Sequence, residues 1–212
     1  MGRLLVALVL ALTSCRPVAA DSARLGSLRP GDEGAGVVAL QERLSALGYW
    51  LGTPDGRYGT STTQAVYALQ KAAGLPRDGE FGLRTSLALE QGVRPAAMTF
   101  SGRFAEVHLA TQLLVLVRDG RVEHVVNAST GSEATATPAG DFSVYRAVDA
   151  WDSGPYGPLY RPRYFVGGVA VHGYRSVPPQ PASHGCVRVS IAAMDWLWSS
   201  GWLELGTPVT VR

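Results

Sequence analysis

Cysteine, lysine and charge are all scarce in this chain of 212 residues. Only two cysteines are present, Cys15 and Cys186, which excludes a disulfide-rich scaffold. Charged residues make up 17% of the chain. Without Arg3 and Arg16 of the N-terminal segment, 17 basic residues face 17 acidic ones and form no cluster. We therefore expect no nucleic-acid partner, because such a partner requires a basic surface.

Long apolar runs are also missing. The run Leu4–Leu12 has nine residues, fewer than the roughly 20 that a membrane-spanning helix needs. It follows Arg3 and has the length of a secretory h-region. Two processing sites come after it: Val18-Ala19-Ala20 resembles a signal-peptidase site, and Leu12–Cys15 resembles a bacterial lipobox in which Cys15 is lipidated. We predict that residues 1–20 are a signal peptide or a lipoprotein signal, with a buried N-terminal strand as the alternative.

The chain does contain enough apolar residues for a core. Hydrophobic residues make up 46%, which excludes a wholly disordered protein. At roughly 100–200 residues per domain, the length allows one domain or two small ones. In an exported chain that loses or lipidates Cys15, the Cys186 thiol stays unpaired, either as a small buried hydrophobe or as a reactive group.

The first half of the chain carries an imperfect repeat within residues 27–92. Apolar residues spaced three and four apart predict helices in this region, and the Asp-Gly pairs between them predict turns. Each copy has Leu-Gln, then Asp-Gly-x-(Tyr/Phe)-Gly, then threonine. The first copy is Leu40-Gln41, Asp55–Gly59 and Thr63, and the second is Leu69-Gln70, Asp78–Gly82 and Thr85.

This repeat resembles the peptidoglycan-binding three-helix module of bacterial cell-wall enzymes. The resemblance rests on the order of the repeat elements together with Gly74-Leu75-Pro76. It implies a small helical bundle that binds cell-wall glycan or stem peptides. Residues 93–102 lack periodicity and are predicted to link this module to a second domain at residues 103–212.

The second half is rich in predicted strands. Asp119-Gly120 between two β-branched runs predicts a hairpin of residues 112–118 and 121–128. Ser190 is expected to cap a helix. Residues 151–162, rich in glycine, proline and tyrosine, are predicted to form a loop long enough to be a lid. Further strands are expected at residues 142–148, 163–172 and 208–212.

Two short motifs carry chemistry, Val171-His172-Gly173 and the segment Ser183–Arg188, which reads Ser-His-Gly-Cys-Val-Arg. A cysteine attacks as the thiolate, and a neighbouring imidazole is the commonest means of producing it. A proline-rich loop can fold Cys186 back beside His172, so we expect the imidazole to lower the pKa of the thiol. Gly185 lets the backbone turn so that consecutive amides face an oxyanion.

The two motifs together resemble the catalytic motif of the L,D-transpeptidases of the YkuD type. Residues 129–131, 137–142 and 206–211 resemble further landmarks of that family. The loop between the motifs is shorter and richer in proline than in many members. By resemblance, Cys186 is the nucleophile and His172 its proton acceptor, and neither a metal nor a cofactor is needed. The residues expected to shape the oxyanion region or to steady the loop are Gly173, Ser183, His184, Gly185 and Arg188.

The resemblance implies a two-domain α+β protein with an N-terminal three-helix bundle and a β-rich, sandwich-like C-terminal domain. The implied enzyme is exported to the cell wall, and it touches the membrane only through a lipid on Cys15. Cys186 would be acylated by the tetrapeptide stem of peptidoglycan with loss of D-Ala, and an amine acceptor would then give a 3→3 cross-link. Stem peptides and glycan are the expected partners.

Three alternative functions stay open on the sequence alone. Water as the acceptor would make the protein an L,D-carboxypeptidase. A zinc hydrolase would use His172, His184 and Cys186 as ligands, because three nitrogen or sulfur ligands and a water form a catalytic zinc site. The third alternative is a non-catalytic protein that binds the cell wall.

Overall fold

The structure is a computed structural model that describes residues 26–212. The predicted signal segment 1–20, with Cys15, lies outside the described residues. Within 26–212 no helix is both long and apolar enough to cross a membrane. In this part of the chain the helices are α1 (Ala35–Ala46), α2 (Thr60–Ala72), α3 (Leu83–Glu90) and α4 (Ile191–Ser199). The strands are β1 (Arg103–His108), β2 (Leu113–Arg118), β3 (Arg121–Asn127), β4 (Gly140–Ser143), β5 (Arg146–Ala147), β6 (Trp151–Gly154), β7 (Gly157–Val166), β8 (Val169–Tyr174), β9 (Val187–Ser190) and β10 (Pro208–Val211).

Helices α1, α2 and α3 form the predicted N-terminal bundle, and the sequence repeat recurs in it as a repeated hydrogen-bond network. Gln41 is 2% exposed and donates to Asp55 Oδ1 at 2.8 Å. Gln70 is 1% exposed and donates to Asp78 Oδ1 at 2.6 Å. Each glutamine therefore ties its helix to the Asp-Gly turn that follows it. Both side chains also bond to a turn carbonyl, a threonine hydroxyl and a turn amide. These groups belong to Arg57, Thr62 and Gly56 in one copy and to Glu80, Thr85 and Gly79 in the other. The threonine that matches Thr85 is therefore Thr62, and the assignment of Thr63 from the sequence is wrong by one position.

The strands form two sheets that face each other across the main core. The first sheet has the order β3-β2-β1-β10-β4, and the second has β5-β7-β8-β9 with β6 paired to β7. Helix α4 packs on β7, β8 and β9, and its N-cap Ser190 accepts from the Ala193 amide, as predicted. This arrangement confirms the α+β class with a sandwich-like second domain. The core between the layers includes Val107, Leu114, Leu116, Val126, Phe165, Val171, Val187, Met194 and Leu197.

Strands β2 and β3 are the predicted hairpin. Asp119 and Gly120 have φ angles of 48° and 74°, the left-handed values that a type I′ turn requires at both positions. Strand β2 is buried on both faces, which explains its continuous apolar run. Leu114 and Leu116 belong to the core between the sheets. Leu113, Val115 and Val117 pack with the three N-terminal helices.

The N-terminal bundle is joined to β3 through the backbone as well. The Trp50 amide donates to Val125 O at 3.0 Å, and the Val125 amide donates to Gly48 O at 2.8 Å. Gly48 has φ +84°, and a Cβ there would lie 2.6 Å from Glu123 O, so no other residue fits this approach. The segment 93–102 is also held, because Val93 O accepts from the Tyr49 hydroxyl at 2.7 Å.

Three strand and loop predictions differ from the structure. The predicted strand 163–172 is two strands, β7 and β8, separated by a turn at Gly167-Gly168. The predicted strand 142–148 is divided between β4 in the first sheet and β5 in the second. Residues 151–162, predicted as a loop, form β6 and part of β7. Most side chains at this end of the β6–β7 hairpin are exposed or half-buried. Neither face of the hairpin has to be apolar, so the sequence shows no alternation of apolar and polar residues that would predict strands.

Because the helices and the sheet share a core, we expect the described domains to unfold in one cooperative transition. Leu113→Ala removes a side chain of 0% exposure between them and should cost about 2–5 kcal/mol. Leu205, which is 63% exposed, is the control, and Leu205→Ala should change stability by less than about 0.5 kcal/mol. Thermal unfolding followed by calorimetry tests this. Two separate transitions, with Leu113→Ala lowering only one of them, would show that the domains are independent.

Candidate active site

A cavity of about 210 Å³ lies beside the β6–β7 hairpin, at the ends of β8 and β9. It contains both sequence motifs, although they are separated by the proline-rich segment. Strands β8 and β9 are parallel, with Val171 opposite Val187 and His172 opposite Arg188. This register brings Cys186, the residue just before β9, beside the strand that carries His172. The lining includes Tyr156, Gly168, His172, Tyr174, Ser183, His184, Cys186 and Arg188.

His172 is buried, with 2% of its surface exposed. Its Nδ1 lies 3.0 Å from Gly173 O. A carbonyl oxygen only accepts, so Nδ1 carries the proton and Nε2 is left free to take one. Burial lowers the pKa of His172 to about 4, the hydrogen bond to Gly173 raises it and the Arg188 charge lowers it. The imidazole is therefore neutral at neutral pH and can act as a base.

Cys186 is half-buried, and it is a free thiol among the described residues. Burial raises the pKa of this thiol, although the Ala170 amide and the Arg188 charge both act to lower it. In residues 26–212 no hydrogen bond joins the Cys186 and His172 side chains, and Sγ lies 3.9 Å from Gly168 O. The expectation of a lowered thiol pKa is therefore wrong for this structure. The resting pair is a neutral thiol and a neutral imidazole, because burial disfavours both charged forms.

Ser183 and Gly185 shape the catalytic loop, residues 183–186. The Ser183 hydroxyl donates to Cys186 O at 2.5 Å and accepts from the Gly185 amide at 3.1 Å. Gly185 has φ +115°, with nothing closer than 3.7 Å to a Cβ built there. The need for glycine is thus set by backbone conformation and not by lack of space. Gly173, in contrast, has no room for a side chain, because a Cβ would lie 2.8 Å from Tyr160 Cδ1.

Arg188 and His184 both line the cavity and make different contacts. Arg188 donates to Ala182 O at 2.9 Å, and its guanidinium lies 4.1 Å from the centre of the Tyr174 ring. Its Nε is buried without a hydrogen-bond partner in the described chain. His184 is exposed and stacks on Tyr156 of the β6–β7 hairpin, with ring centres 4.5 Å apart and planes 7° apart. Tyr156, Gly168 and Tyr174 are lining residues that the sequence did not single out. The signal for Tyr156 was an aromatic residue in a glycine- and proline-rich segment.

Residues of the two sequence segments 129–131 and 137–142 form hydrogen bonds that hold the catalytic loop. Thr137 Oγ1 donates to Gly185 O at 2.7 Å and accepts from the Gly131 amide at 2.9 Å. The Ser132 amide donates to Ser183 O at 2.9 Å. These contacts explain why residues 129–131 and 137–142 accompany the cysteine motif in the sequence.

The zinc-hydrolase alternative lacks its ligand set. Across residues 26–212, no three His, Cys, Asp or Glu side chains are grouped so that they could hold a metal ion. His184 is turned toward Tyr156, and the His172 Nδ1 is engaged by Gly173. The three residues named as ligands therefore do not converge on one point.

Comparison with known proteins finds a family model for each of the two domains. Residues 102–211 match the family model described as the L,D-transpeptidase catalytic domain, YkuD. Residues 33–89 match that of a putative peptidoglycan binding domain. A crystal structure of the L,D-transpeptidase from Xylanimonas cellulosilytica is 47% identical, with a TM-score of 0.85, over 88% of this chain and 98% of that one. The L,D-transpeptidase from Stackebrandtia nassauensis, at 23% identity and a TM-score of 0.53, shares the fold over 87% of this chain and 94% of that one.

The curated relatives match less than half of the chain. The N-acetylmuramoyl-L-alanine amidase CwlL from Bacillus licheniformis is 48% identical over 64 residues, which are 29% of this chain and 18% of that protein. The chain thus spans about a fifth of the length of the curated relatives that it matches. A catalytic-domain model that matches more than half of the sequence decides the classification: the chain belongs to the YkuD family of L,D-transpeptidase catalytic domains, and a peptidoglycan-binding domain precedes that domain.

Proposed function

We propose that the protein is a cell-wall L,D-transpeptidase that forms 3→3 cross-links through an acyl-enzyme on Cys186. One observation carries the proposal: a buried imidazole with a free Nε2 and a thiol line the same small cavity. Membership of the family supports the reaction class. The peptidoglycan-binding domain supports peptidoglycan as the partner. A wall polymer as substrate supports a location outside the cytoplasm, which is also the location expected from the predicted signal segment at residues 1–20.

In the first step, His172 Nε2 takes the thiol proton while Sγ attacks the carbonyl that joins the L-centre of the stem diamino acid to D-Ala. The carbonyl oxygen becomes an oxyanion. The Gly185 amide is bonded to Ser183 Oγ, so we assign the stabilising donor to the Cys186 amide. The tetrahedral intermediate breaks its C–N bond, and the imidazolium returns the proton to the departing amine of D-Ala. A thioester on Cys186 remains.

In the second step, the side-chain amine of a neighbouring stem attacks the thioester. His172 accepts a proton from this amine, the C–S bond breaks, and the thiolate is reprotonated. The product is an amide between two diamino acids. Attack by water would instead release the shortened stem, which is the carboxypeptidase alternative. Mass spectrometry of muropeptides incubated with the protein distinguishes the cross-linked dimer from the shortened monomer, and neither product would form if the protein only bound the wall.

We expect Cys186→Ala to abolish the release of D-Ala from a tetrapeptide stem while the fold is kept. The thiol and the methyl group differ little in volume, so the melting temperature should stay close to that of the parent protein. Residual turnover comparable to wild type would rule out Cys186 as the nucleophile. A large loss of stability would indicate that the residue serves as a buried hydrophobe.

The pKa shifts predict how pH acts on the two residues. Because burial raises the pKa of Cys186, alkylation by iodoacetamide should rise with pH and reach its midpoint above the ordinary thiol value. Because the pKa of His172 is lowered to about 4, the base should stay deprotonated at neutral pH and activity should be lost only as the pH falls toward 4. Rates of alkylation and of D-Ala release, each measured against pH, test both statements.

The matched variants for this measurement are His172→Ala and His184→Ala. His172→Ala should reduce acyl transfer by about 10²- to 10⁴-fold, the usual size of a general-base contribution, and should leave the alkylation midpoint nearly unchanged. His184→Ala should have the smaller effect on acyl transfer. An alkylation midpoint below the ordinary thiol value that moves upward in His172→Ala would contradict a neutral resting pair and indicate a preformed ion pair.

A further inference from the structure

The proline-rich segment, residues 175–182, connects β8 to the catalytic loop and has no regular structure. Its prolines, Pro178, Pro179 and Pro181, have no amide hydrogen, so this segment can offer carbonyl oxygens but few donors. A segment of this kind must be fixed by donors from elsewhere in the fold. Two of its carbonyls accept from the catalytic domain: Gln180 O from Ser129 Oγ at 2.8 Å, and Ala182 O from Arg188 at 2.9 Å.

The other two donors come from the N-terminal bundle. Gln64 of α2 donates through Nε2 to Val177 O at 3.1 Å, and Arg77 donates through Nη1 to Pro179 O at 2.9 Å. Both contacts join residues more than a hundred positions apart in the sequence. The peptidoglycan-binding domain therefore holds the segment that leads directly to Ser183 and Cys186.

The orientation of Gln64 is itself set by a buried chain of donors that begins at Lys71. Lys71 donates to Asn127 Oδ1, and Asn127 Nδ2 donates to Gln64 Oε1 at 2.5 Å. Because Oε1 accepts this bond, the Gln64 amide must present its Nε2 to Val177 O. Lys71 is 2% exposed, and Gln64 and Asn127 are also buried.

A second chain runs from Lys71 to the catalytic loop itself. Lys71 Nζ donates to Gln112 O and to Ala128 O, both at 2.9 Å. The Gln112 side chain donates to Thr130 Oγ1 and accepts from the Thr130 amide, both at 2.7 Å. Thr130 O then accepts from the Ala182 and Ser183 amides at 3.0 Å. Two hydrogen-bond chains thus begin at the Lys71 ammonium group. One reaches the proline-rich segment near its start, at Val177, and the other reaches its end, at Ala182.

Burial lowers the pKa of Lys71 to about 6, and the Arg77 charge lowers it further. Three oxygens nevertheless accept from Nζ, and only the ammonium form has three hydrogens to give them. We therefore assign the ammonium form, in which each of the three oxygens is paired. No acidic side chain lies within ion-pair distance of Nζ in residues 26–212.

We propose that Gln64 and Arg77 of the peptidoglycan-binding domain are positioning residues for the reaction: they hold the proline-rich segment so that the Cys186 thiol and its amide face the substrate carbonyl together. The inference rests on the proposed function, since it concerns acylation of Cys186. It gives the N-terminal domain a role in the chemistry besides binding. A small displacement of reacting groups is enough to slow a reaction by one to two orders of magnitude. Neither Gln64 nor Arg77 is itself a lining residue of the cavity.

The test compares two reactions of the Cys186 thiol in the full chain. Acylation by a β-lactam requires both the thiol and the oxyanion donor, whereas alkylation by iodoacetamide requires the thiol alone. We expect Arg77→Met to slow acylation by about 10-fold and to leave the alkylation rate and the melting temperature near wild-type values. Arg77→Lys keeps a donor for Pro179 O and should recover most of the rate. Gln64→Glu, which still accepts from Asn127 but cannot donate to Val177 O, should behave like Arg77→Met.

Arg84→Met is the matched control, because Arg84 is an exposed arginine of α3 that makes no hydrogen bond to the proline-rich segment in the described chain. It should leave both rates unchanged. Equal acylation in Arg77→Met and wild type would overturn the inference, and so would equal losses of acylation, alkylation and melting temperature, or a loss that lysine does not restore. A different result would contradict the proposed function: wild-type protein that is not acylated by the β-lactam, or that releases no D-Ala from the stem peptide.

Discussion

Burial of β2 on both of its faces is the constraint on which the rest of the structure depends. Five consecutive side chains, Leu113–Val117, are each 0% exposed, and full burial of each is worth roughly 1.5–3 kcal/mol. One face of the strand packs in the core between the two sheets, and the other packs against the three N-terminal helices. The two domains therefore cannot be separated without exposing this strand.

This shared core determines what the helices can do at a distance. Since α2 is fixed against β3, its polar side chains reach across the edge of the sheet to a segment that leads into the catalytic loop. Lys71 and His172 are both buried. Lys71 keeps its charge because three oxygens accept from its ammonium group, whereas burial disfavours the charged forms of His172 and Cys186. The imidazole and the thiol therefore rest as neutral groups.

Local patterns in the sequence predicted the parts of this molecule that local physics determines. The type I′ turn at Asp119-Gly120, the helix cap at Ser190 and the apolar spacing of the bundle each depend on residues a few positions apart. The placement of His172 and Cys186 in one cavity could be predicted from the sequence, because the two motifs flank one loop. The contacts of Gln64 and Arg77 could not be predicted from the sequence, because their partners lie about a hundred residues away. The direction of the Cys186 pKa was missed for a related reason: burial is a property of the whole fold.

The chain contains a single lysine, Lys71. Its side chain is buried, and its ammonium group donates hydrogen bonds to three oxygens. A thioester that waits for an amine acceptor reacts with whichever unprotonated amine reaches it first. Among residues 26–212 the other cationic side chains are arginines, and their guanidinium groups are far weaker nucleophiles than amines. In the proposed reaction, this part of the chain therefore offers no exposed lysine side chain that could intercept the acyl group on Cys186.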